Sequence, residues 1–453
     1  MPKATIYYHD IGDYLKRDEK LAIIKKFGSV TNESIEWTTL APNEHGDWIS
    51  QRNDIFNEFI PIGDKTKQEG YFVAGIYCRG LETSRDAWAY NFGKEKLGEN
   101  VKASIDFYND QREKLSALLK SNPKLEVKDN LLYDDKKISW SRAFVSDAAK
   151  NKEKTFDESR IFNSIYRPFT KEHVYFSRQY DNMVSWMDSY FPKIDSDNVV
   201  LCVGETSVFV TDQIPDLHLN GDTQCLPLYY YKEKNLDNPT LFDTAADPQY
   251  IRRDGISDWI LKQAHERYGK DIKREDIFYY VYGFLHSPEY RIKFANDLKK
   301  MLPRIPLVES KADFVAFSKA GRALAQFHLN YEKVSAYPDL KVTGEDSANF
   351  RVGKMRFANR DSKDAIQYNS DIVVSKIPAK AYEYVINGKS AIEWIMERYQ
   401  VKQGKPSGII NDPNHWSEEV ENERYILDLL LSIVNVSVQT VDIVSELPTV
   451  KFD

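Results

Sequence analysis

The sequence predicts an α+β fold, in which a β-rich N-terminal lobe precedes a largely helical C-terminal lobe. Short β-like runs separated by turns dominate residues 30–240, whereas apolar residues at helical spacing dominate after residue 250. Residues 232–250 are polar and rich in turn-forming residues, which is typical of a domain boundary. We therefore predict two lobes, at residues 30–240 and 250–453, preceded by a separate segment at residues 1–29.

Most elements of the first part of the chain are short strands. Residues 4–9 predict a strand, and a helix follows it to Phe27, where Gly28 supplies the usual stop. A long helix is predicted between Lys94 and Leu119 because its apolar residues recur near helical spacing. The remaining predicted strands of this lobe are residues 71–77, 137–140, 174–176, 199–203, 207–210 and 226–231.

Helices predominate in the second lobe. Ser257 and Ser287 precede apolar-periodic segments as N-caps, and Pro288 occupies the first turn of its helix. The predicted helices are residues 257–269, 275–286, 287–302, 318–331, 379–386, 391–399 and 424–445. Short strands are predicted at residues 350–355, 365–368 and 372–374.

The charge balance argues against a protein that grips nucleic acid through bulk positive charge, because the net charge is −7. It leaves room for a local basic cleft on an acidic body. Residues 251–305, for example, contain twelve Lys and Arg residues against eight Asp and Glu residues.

Cys78, Cys202 and Cys225 are too scattered for a zinc site and too few for a disulfide framework. We expect buried, reduced thiols and therefore a cytoplasmic protein. No charged and apolar leader opens the chain, and no apolar run approaches the roughly 18 residues of a membrane span, so we expect no membrane association.

The run of residues 387–401 resembles a catalytic segment without meeting the requirements of one. Its Gly388-Lys389-Ser390 suggests a phosphate loop, but the position that needs the first glycine is Glu383, whose charge would repel a phosphate. Residues 411–414 likewise resemble the Asn-Pro-Pro-aromatic loop of amino-methyltransferases, but Asp412 interrupts the pattern. The run is therefore interpreted as part of the architecture, and no catalytic or metal-binding residue is predicted.

Several polar segments are candidates for contact with DNA, each with an alternative as an ordinary structural network. Arginine pairs with guanine or clamps a phosphate, hydroxyl and lysine side chains contact phosphates, and Asn and Gln pair with adenine. Lys137, Ser139 and Ser141 are predicted to share one face of a strand. Pro168 is expected to hold the preceding arginine extended. The candidates are Thr83, Ser84, Arg85, Lys137, Ser141, Arg142, Arg167, Lys171, Arg178, Asn182, Asn220 and Gln224.

Residues 387–401 and 407–414, together with the segments around Arg85 and Arg167, resemble the C-terminal target-recognition part of Type ISP restriction–modification enzymes. Those enzymes join a nuclease, a helicase-like motor, an adenine methyltransferase and a DNA-reading domain in one polypeptide. The resemblance covers nearly the whole chain. It implies that residues 1–29 are the tail of a preceding methyltransferase domain, and that residues 4–9 are a remnant strand without a partner.

The resemblance further implies that the chain reads a short asymmetric site in double-stranded DNA. It would position an adenine-N6 methyltransferase, present in cis or as a separate chain, and license a linked motor and nuclease in phage defence. S-adenosylmethionine, ATP and Mg are then expected only in the preceding domains, and this chain alone would neither methylate nor cut. Two alternatives remain: a free-standing metal-dependent nuclease or hydrolase using carboxylates around residues 212–222, and a protein-interaction scaffold that binds no DNA.

Overall fold

A computed structural model describes residues 4–12, 15–234, 249–347 and 349–452. It confirms the α+β class. The predicted boundary at residues 232–250 falls mostly outside the described residues.

The strands and helices are numbered in chain order. The described strands are β1 (Ile6–Tyr8), β2 (Thr38–Leu40), β3 (Ile60–Pro61), β4 (Cys78–Arg79), β5 (Tyr90–Asn91), β6 (Ile161–Arg167), β7 (Thr170–Tyr175), β8 (Val200–Val203), β9 (Val208–Thr211), β10 (Ile214–Pro215), β11 (Gln224–Pro227), β12 (Tyr229–Glu233), β13 (Tyr250–Asp254), β14 (Arg304–Ile305), β15 (Lys341–Thr343), β16 (Arg356–Phe357), β17 (Ala365–Gln367), β18 (Val373–Ser375), β19 (Val385–Ile386), β20 (Lys389–Ser390), β21 (Lys402–Gln403) and β22 (Ile410–Asn411). The described α-helices are α1 (Arg17–Phe27), α2 (Asp54–Glu58), α3 (Asp86–Ala89), α4 (Lys94–Ser121), α5 (Arg142–Ala149), α6 (Met187–Tyr190), α7 (Asp258–Tyr268), α8 (Arg274–Phe284), α9 (Pro288–Lys293), α10 (Ala295–Leu298), α11 (Lys311–Leu329), α12 (Ala391–Arg398), α13 (Asn414–Glu419) and α14 (Tyr425–Ser445).

Two four-stranded sheets organise the first half of the chain. One has the strand order β10-β6-β7-β5, and the other has the order β4-β11-β8-β9. The second sheet separates two hydrophobic cores. Along β8, Val200 and Cys202 face the core that contains α4 and α14, whereas Leu201 and Val203 face the core that contains α7, α8 and α11. Because both faces of β8 and β9 are buried, seven of their eight residues are apolar instead of alternating with polar residues.

Elements of the two predicted lobes pack against each other. The helices of the second predicted lobe pack on the sheet of the first, and β3 of the first lobe pairs with β14 of the second. α8 and α11 approach each other closely at Gly283 and Gly321. A Cβ atom added at Gly321 would lie 1.9 Å from the carbonyl oxygen of Tyr279, so the two backbones are in direct contact there.

Several sequence-based predictions are wrong in detail. β1 has a partner, because it pairs antiparallel with β2. Residues 71–77 form no strand beyond an isolated bridge between Phe72 and Ile256. Residues 134–138 form a turn in place of a strand, and Ser141 caps α5. The helix predicted to end near residue 302 is broken into α9 and α10, and residues 379–386 form a short 3₁₀ helix followed by β19.

α14 corrects the expectation that no apolar run approaches the length of a membrane span. This helix has 21 residues, a mean hydropathy of 1.6 over its most apolar window, and therefore the length and composition to cross a membrane. However, 67% of that window is buried inside the protein. Such burial is typical of the core helix of a globular protein.

The run that resembles a phosphate loop is a hairpin leading into a helix. Asn387 and Gly388 adopt positive φ, as the tight turn between β19 and β20 requires. Ser390 caps α12, because its hydroxyl accepts a hydrogen bond from the N–H of Glu393 while the Glu393 carboxylate accepts one from the N–H of Ser390. Lys389 forms an ion pair with Glu397.

The three cysteines are free and buried, as the sequence predicts. They lie on three adjacent strands, with Cys225 opposite both Cys78 and Cys202. Burial raises the pKa of Cys78 to about 12, which keeps its thiol protonated and unreactive.

Candidate nucleic-acid interface

Three loops, at residues 79–86, 178–188 and 216–224, lie side by side and form what we call the three-loop surface. Glu82 and Met183 exchange two backbone hydrogen bonds of 3.1 and 2.9 Å, which joins the first loop to the second. Leu81 donates to Pro215 and accepts from Leu217, which joins the first loop to the third. The backbones approach so closely that a Cβ at Gly80 would lie 2.5 Å from the carbonyl oxygen of Asp216. Segments distant in sequence therefore form one continuous surface.

Polar and aromatic side chains project from the three-loop surface to solvent. Four of them, Ser84, Arg178, Asn182 and Gln224, are among the candidates predicted from the sequence, and Gln224 is half-buried whereas the other three are exposed. The others are Arg79, Glu82, Gln179, Met183, Trp186, His218 and Asp222. Two large apolar side chains, Met183 and Trp186, are more than two-fifths exposed, which is unusual beside so many polar groups.

Hydrogen bonds order these side chains. The Asn182 amide donates to the Glu82 carboxylate at 2.7 Å, and its carbonyl oxygen makes no hydrogen bond to the described residues. Arg178 donates to both carboxylate oxygens of Asp188 and to the carbonyl oxygen of Ser185. The surface thus presents amide, guanidinium and carboxylate groups in fixed positions.

The backbone of the surface is held in an unusual conformation at two serines. Ser84 and Ser185 have φ of 57° and 54°, in the left-handed region that non-glycine residues seldom occupy. Such conformations persist only where neighbouring contacts impose them, and they cluster at functional sites. At Ser84, the hydrogen bond from the Arg85 N–H to the Thr83 hydroxyl, at 3.1 Å, contributes to this constraint.

Arg85 lies beneath the surface and connects its parts. Its guanidinium donates to the carbonyl oxygen of Tyr180 and to the Ser141 hydroxyl at 2.8 Å, and it stacks 3.3 Å from the centre of the Phe144 ring. The side chain is buried. Contact of Arg85 with DNA stays a prediction, and it would require the guanidinium to leave these partners.

Arg167 supports the third loop. Its guanidinium lies 4.0 Å from the centre of the Tyr166 ring and donates to the Asp216 carboxylate at 2.5 Å. The Arg167 and Asp216 side chains are 11% and 2% exposed. Burial raises the pKa of Asp216 to about 6, although the Arg167 charge acts in the opposite direction. Base reading by Arg167 stays a prediction that would require this buried pair to open.

Asp181 adds a second buried carboxyl group below the surface. One of its oxygens accepts a hydrogen bond from the N–H of Ser177 at 2.8 Å, and the other has no partner in the described part of the chain. Burial raises the pKa of Asp181 to about 8, so the carboxyl group is largely neutral at pH 7.

Thr83 and Asn220 hold the loops from inside. The Thr83 hydroxyl donates to the Asp86 carboxylate. The Asn220 amide donates to the carbonyl oxygens of Cys202 and Ser207, both at 3.2 Å, and so fixes the third loop to β8 and to the turn before β9. Both side chains are buried, so their proposed DNA contacts would follow only from movement of the loops.

The remaining candidates lie at varying distances from this surface. Ser141 accepts from Arg85, and Arg142 follows it as an exposed cation at the start of α5. Lys137 is exposed and lies 5.4 Å from the centre of the Phe107 ring. Lys171 pairs with Glu332 at the opposite end of β7 from residue 178, so the structure does not bring it to the three-loop surface.

The sequence analysis missed Arg79, Met183 and Trp186 as members of this surface. The presence of Trp186 in the short polar segment of residues 177–188 was a usable signal, because an aromatic residue outside any apolar pattern often marks an interface. Arg79 and Met183 reach the surface only through strand pairing and the bridge to Glu82, which the sequence does not reveal.

The carboxylates around residues 212–222 do not form a group of metal ligands among the described residues. Asp216 pairs with Arg167. The Oδ1 atom of Asp222 lies 3.6 Å from Nη2 of Arg79 and 3.6 Å from Nδ1 of His218. Within the described ranges, the one group of three close ligand atoms joins Glu44, His45 and Asp54, all of them exposed.

An exposed, ordered and mostly polar surface built from three loops is typical of a domain that recognises a macromolecule. The chain belongs to the Type ISP C-terminal specificity domain family, because the family model matches residues 73–429. No curated protein matches the chain.

Three solved structures resemble the chain over almost its whole length. The first is a nuclease-deletion mutant of the Type ISP restriction–modification enzyme LlaGI in complex with a DNA substrate mimic, with a TM-score of 0.84 and 36% identity over 99% of this chain and 39% of that one. The second is the ATP-dependent Type ISP enzyme LlaBIII bound to DNA, with a TM-score of 0.84 and 34% identity over 100% of this chain and 28% of that one. The third is a DrdV–DNA complex, with a TM-score of 0.79 and 29% identity over 99% of this chain and 44% of that one. The chain therefore spans less than half the length of these proteins.

Proposed function

We propose that the chain recognises a specific sequence in double-stranded DNA through the three-loop surface. The observation that carries this proposal is that the matched specificity-domain region, residues 73–429, contains all three loops. The structures of LlaGI, LlaBIII and DrdV, which share its fold, are complexes with DNA or a DNA mimic.

The chemistry of the surface suits a division between base and phosphate contacts. Asn182 and Gln224 carry amides, which pair with adenine in the major groove, and Arg178 carries a guanidinium suited to guanine. Ser84 and the nearby Arg142 offer a hydroxyl and a cation for phosphates. Because Arg178 pairs with Asp188 in the free chain, guanine contact would exchange one bidentate partner for another.

Buried groups give this surface its pre-organisation. Arg85 joins the first loop to Tyr180 of the second, and Asp216 of the third loop is held by Arg167. A surface ordered before binding loses less conformational entropy when DNA arrives. We therefore assign Arg85 and Arg167 the role of positioning residues for the three-loop surface.

The proposed activity is recognition without chemistry. S-adenosylmethionine, ATP and Mg are proposed to bind other parts of a larger restriction–modification enzyme, of which this chain corresponds to 28–44% of the length of its structural neighbours. The protein is proposed to act in the cytoplasm. Divalent-metal-dependent cleavage of DNA by the chain alone would instead favour the nuclease alternative.

Asn182→Ala is expected to relax the preference for one base pair of the recognition sequence by about 1–3 kcal/mol, because it removes one exposed amide that pairs with a base edge. Selection of bound duplexes from a randomised pool, at several salt concentrations, measures this change. Gln326→Ala, which removes an exposed amide on α11 outside the three-loop surface, is the matched comparison.

Three outcomes of this selection are informative. Loss of preference at one position supports base reading by Asn182. An equal loss of affinity for all sequences would reassign Asn182 to phosphate contact, and unchanged affinity and preference would place it outside the interface. Wild-type chain that selects no sequence at all would contradict the proposed function.

The N-terminal segment is proposed to dock the methyltransferase that the recognition surface would position. Eight of the twenty exposed large apolar side chains in the described residues lie within residues 6–49. They are Ile6, Tyr7, Leu21, Ile24, Val30, Trp37, Trp48 and Ile49, and α1 buries none of its residues. Exposed apolar surface on this scale is typical of a protein–protein interface.

Leu21→Glu with Ile24→Glu is expected to abolish adenine-N6 methylation by the complete methyltransferase-containing enzyme, because two charges on α1 would oppose burial of its apolar face. The affinity of the 453-residue chain for its DNA site is expected to stay unchanged. Methylation is measured by protection of site-containing DNA, and affinity by titration of labelled duplex.

Leu118→Glu provides the control, because Leu118 is similarly exposed on α4. Equal damage by Leu118→Glu would indicate a general loss of solubility and contradict docking through α1. Full methylation by the double variant would contradict it as well.

A further inference from the structure

A two-stranded ribbon formed by β12 and β13 projects basic and aromatic side chains outside the three-loop surface. The register pairs Tyr230 with Arg253 and Lys232 with Ile251 on one face of the ribbon. On the other face, Tyr229 pairs with Asp254, and Tyr231 pairs with Arg252. Because side chains alternate between the faces of a strand, the two faces of the ribbon carry different side chains.

The face containing Tyr229 and Tyr231 fixes the ribbon to the body of the protein. The Tyr229 hydroxyl donates to Glu275 of α8, and the Tyr231 hydroxyl donates to the carbonyl oxygen of Asp197, both at 2.7 Å. Asn198 donates to the backbone carbonyl oxygen of Tyr229 and accepts from its N–H. A ribbon attached in this way is a rigid platform for its other face.

The opposite face carries two cations that have no partner in the part of the chain that the structure describes. Lys232 and Arg253 are exposed, and neither forms a hydrogen bond or ion pair with any residue in the described ranges. Half-buried Tyr230, which packs against the core that contains α4 and α14, and exposed Ile251 complete this face, and none of its four positions is acidic. In a chain with a net charge of −7, two adjacent cations that are unpaired among the described residues attract an anion locally.

A groove of about 620 Å³ lies beside this face, bordered by Tyr230, Arg253, Trp259 and Arg274. Arg274 pairs there with both Asp254 and Asp258, so these three groups together with Arg253 carry no net charge. Among the described residues, Arg253 is the cation at the groove without an ion-pair partner. Tyrosine and tryptophan beside such a cation provide apolar contact for a sugar and a hydroxyl or N–H donor for a phosphate oxygen.

The ribbon is close to the three-loop surface. β12 contacts α6, which begins directly after Trp186, and β12 follows β11, which begins at Gln224. Tyr230 follows Gln224 by six residues, so the two lie at most about 20 Å apart, which equals about six base pairs of duplex. A duplex bound at the three-loop surface therefore extends within reach of the ribbon.

We propose that the face of the ribbon formed by Tyr230, Lys232, Ile251 and Arg253 binds phosphates of the DNA duplex within about six base pairs of the recognition sequence, on one side of it. This contact is independent of sequence and rests on the proposed function of the three-loop surface. It supplies affinity and fixes the position of the duplex, while the three-loop surface supplies the preference for one sequence.

The test is a double variant, Lys232→Ala with Arg253→Ala, in the 453-residue chain. Lys120→Ala with Lys319→Ala removes the same charge from exposed lysines on α4 and α11 and is the control. Each phosphate contact contributes about one unit to the slope of log affinity against log salt concentration, so the ribbon variant is expected to lower that slope by about two. The ratio of wild-type affinity to variant affinity then falls about 16-fold between 50 and 200 mM salt.

Two further readouts locate the contact. The ribbon variant is expected to lose protection from hydroxyl radicals on one flank of the site, while its base preference stays unchanged. Shortening the duplex on that flank is expected to weaken the wild-type chain but leave the ribbon variant unaffected. An unchanged footprint and salt slope, or equal changes in the lysine control, would overturn the proposal.

The result also separates the two proposals. If the wild-type chain shows no sequence preference, the proposed recognition function fails, whereas the salt slope on a duplex of arbitrary sequence still decides whether the ribbon contacts phosphates. If the chain prefers one sequence and the ribbon variant matches the wild type in every readout, the ribbon proposal alone fails, and the ribbon serves a partner other than DNA.

Discussion

Arg167→Ala is expected to lower the free energy of unfolding by about 3–5 kcal/mol near pH 8, because it leaves the buried Asp216 carboxylate without its cation. Asp216 is almost wholly inaccessible to water, so solvent does not replace the lost partner. The loss includes the contact between the guanidinium and the Tyr166 ring. Denaturant unfolding of wild type and variant measures the difference.

The pH dependence identifies the cause. In the wild type, the pKa of Asp216 is about 6, above the ordinary value near 3.8, so the folded state favours the protonated acid and its stability falls as pH rises through this interval. Without Arg167 the pKa rises further. Near pH 4, Asp216 is protonated in the folded wild type and in the folded variant. The stability deficit of Arg167→Ala is therefore expected to be smallest near pH 4 and to grow as pH increases to 8.

Arg167→Lys and Arg178→Ala complete this experiment. The lysine variant retains the charge and is expected to recover part of the stability, whereas Arg178 is mostly exposed and its removal is expected to have little effect on stability. If Arg167→Ala is as stable as the wild type but changes the base preference, Arg167 reads DNA directly, as the resemblance of its segment implies.

Asp181→Asn is expected to stabilise the chain by roughly 2–4 kcal/mol at pH 8, because it removes the cost of holding a buried carboxyl group at a raised pKa. Asn has the shape of the protonated acid, and its carbonyl oxygen accepts the same hydrogen bond from Ser177. The pKa of Asp181 is about 8 in the folded chain, so wild-type stability falls as pH rises from about 4 to 8.

Urea unfolding at pH 5 and pH 8 tests this prediction. The advantage of Asp181→Asn is expected to increase between these two values, whereas Asp106→Asn, at an exposed position of α4, is expected to be neutral at both. Destabilisation by Asp181→Asn at both pH values would show instead that the carboxylate is ionised and stabilised by Arg85. A neutral Asp181 also keeps negative charge away from the phosphates that are proposed to bind above it.

Local sequence signals located most helices. α4, α7, α8 and α14 lie close to their predicted limits, because apolar spacing and residues such as Ser257 and Gly269 act within a few positions of one another. The strand predicted at residues 137–140 failed because alternation of polar and apolar side chains also fits a turn, and Ser141 was needed as a helix cap.

The functional candidates divide according to what lies around them. Ser84, Arg178 and Asn182 are exposed on the three-loop surface, whereas Arg85 and Arg167 are buried beneath it. The neighbouring residues in the sequence do not show that Arg85 and Arg167 are buried whereas Arg178 is exposed. Their positions depend on Tyr180, Ser141 and Asp216, which lie far away in the chain.

The sequence by itself determined the α+β class, most helices, the buried thiols and the resemblance to a specificity domain, because each depends on residue types or on patterns within short segments. The tertiary structure alone decided which polar residues share a surface, which arginines are committed to buried partners, and that one sheet serves two cores. These properties depend on contacts between segments as distant as β4 and β11, and the free energy of burying a charge depends on every neighbour that such contacts bring to it.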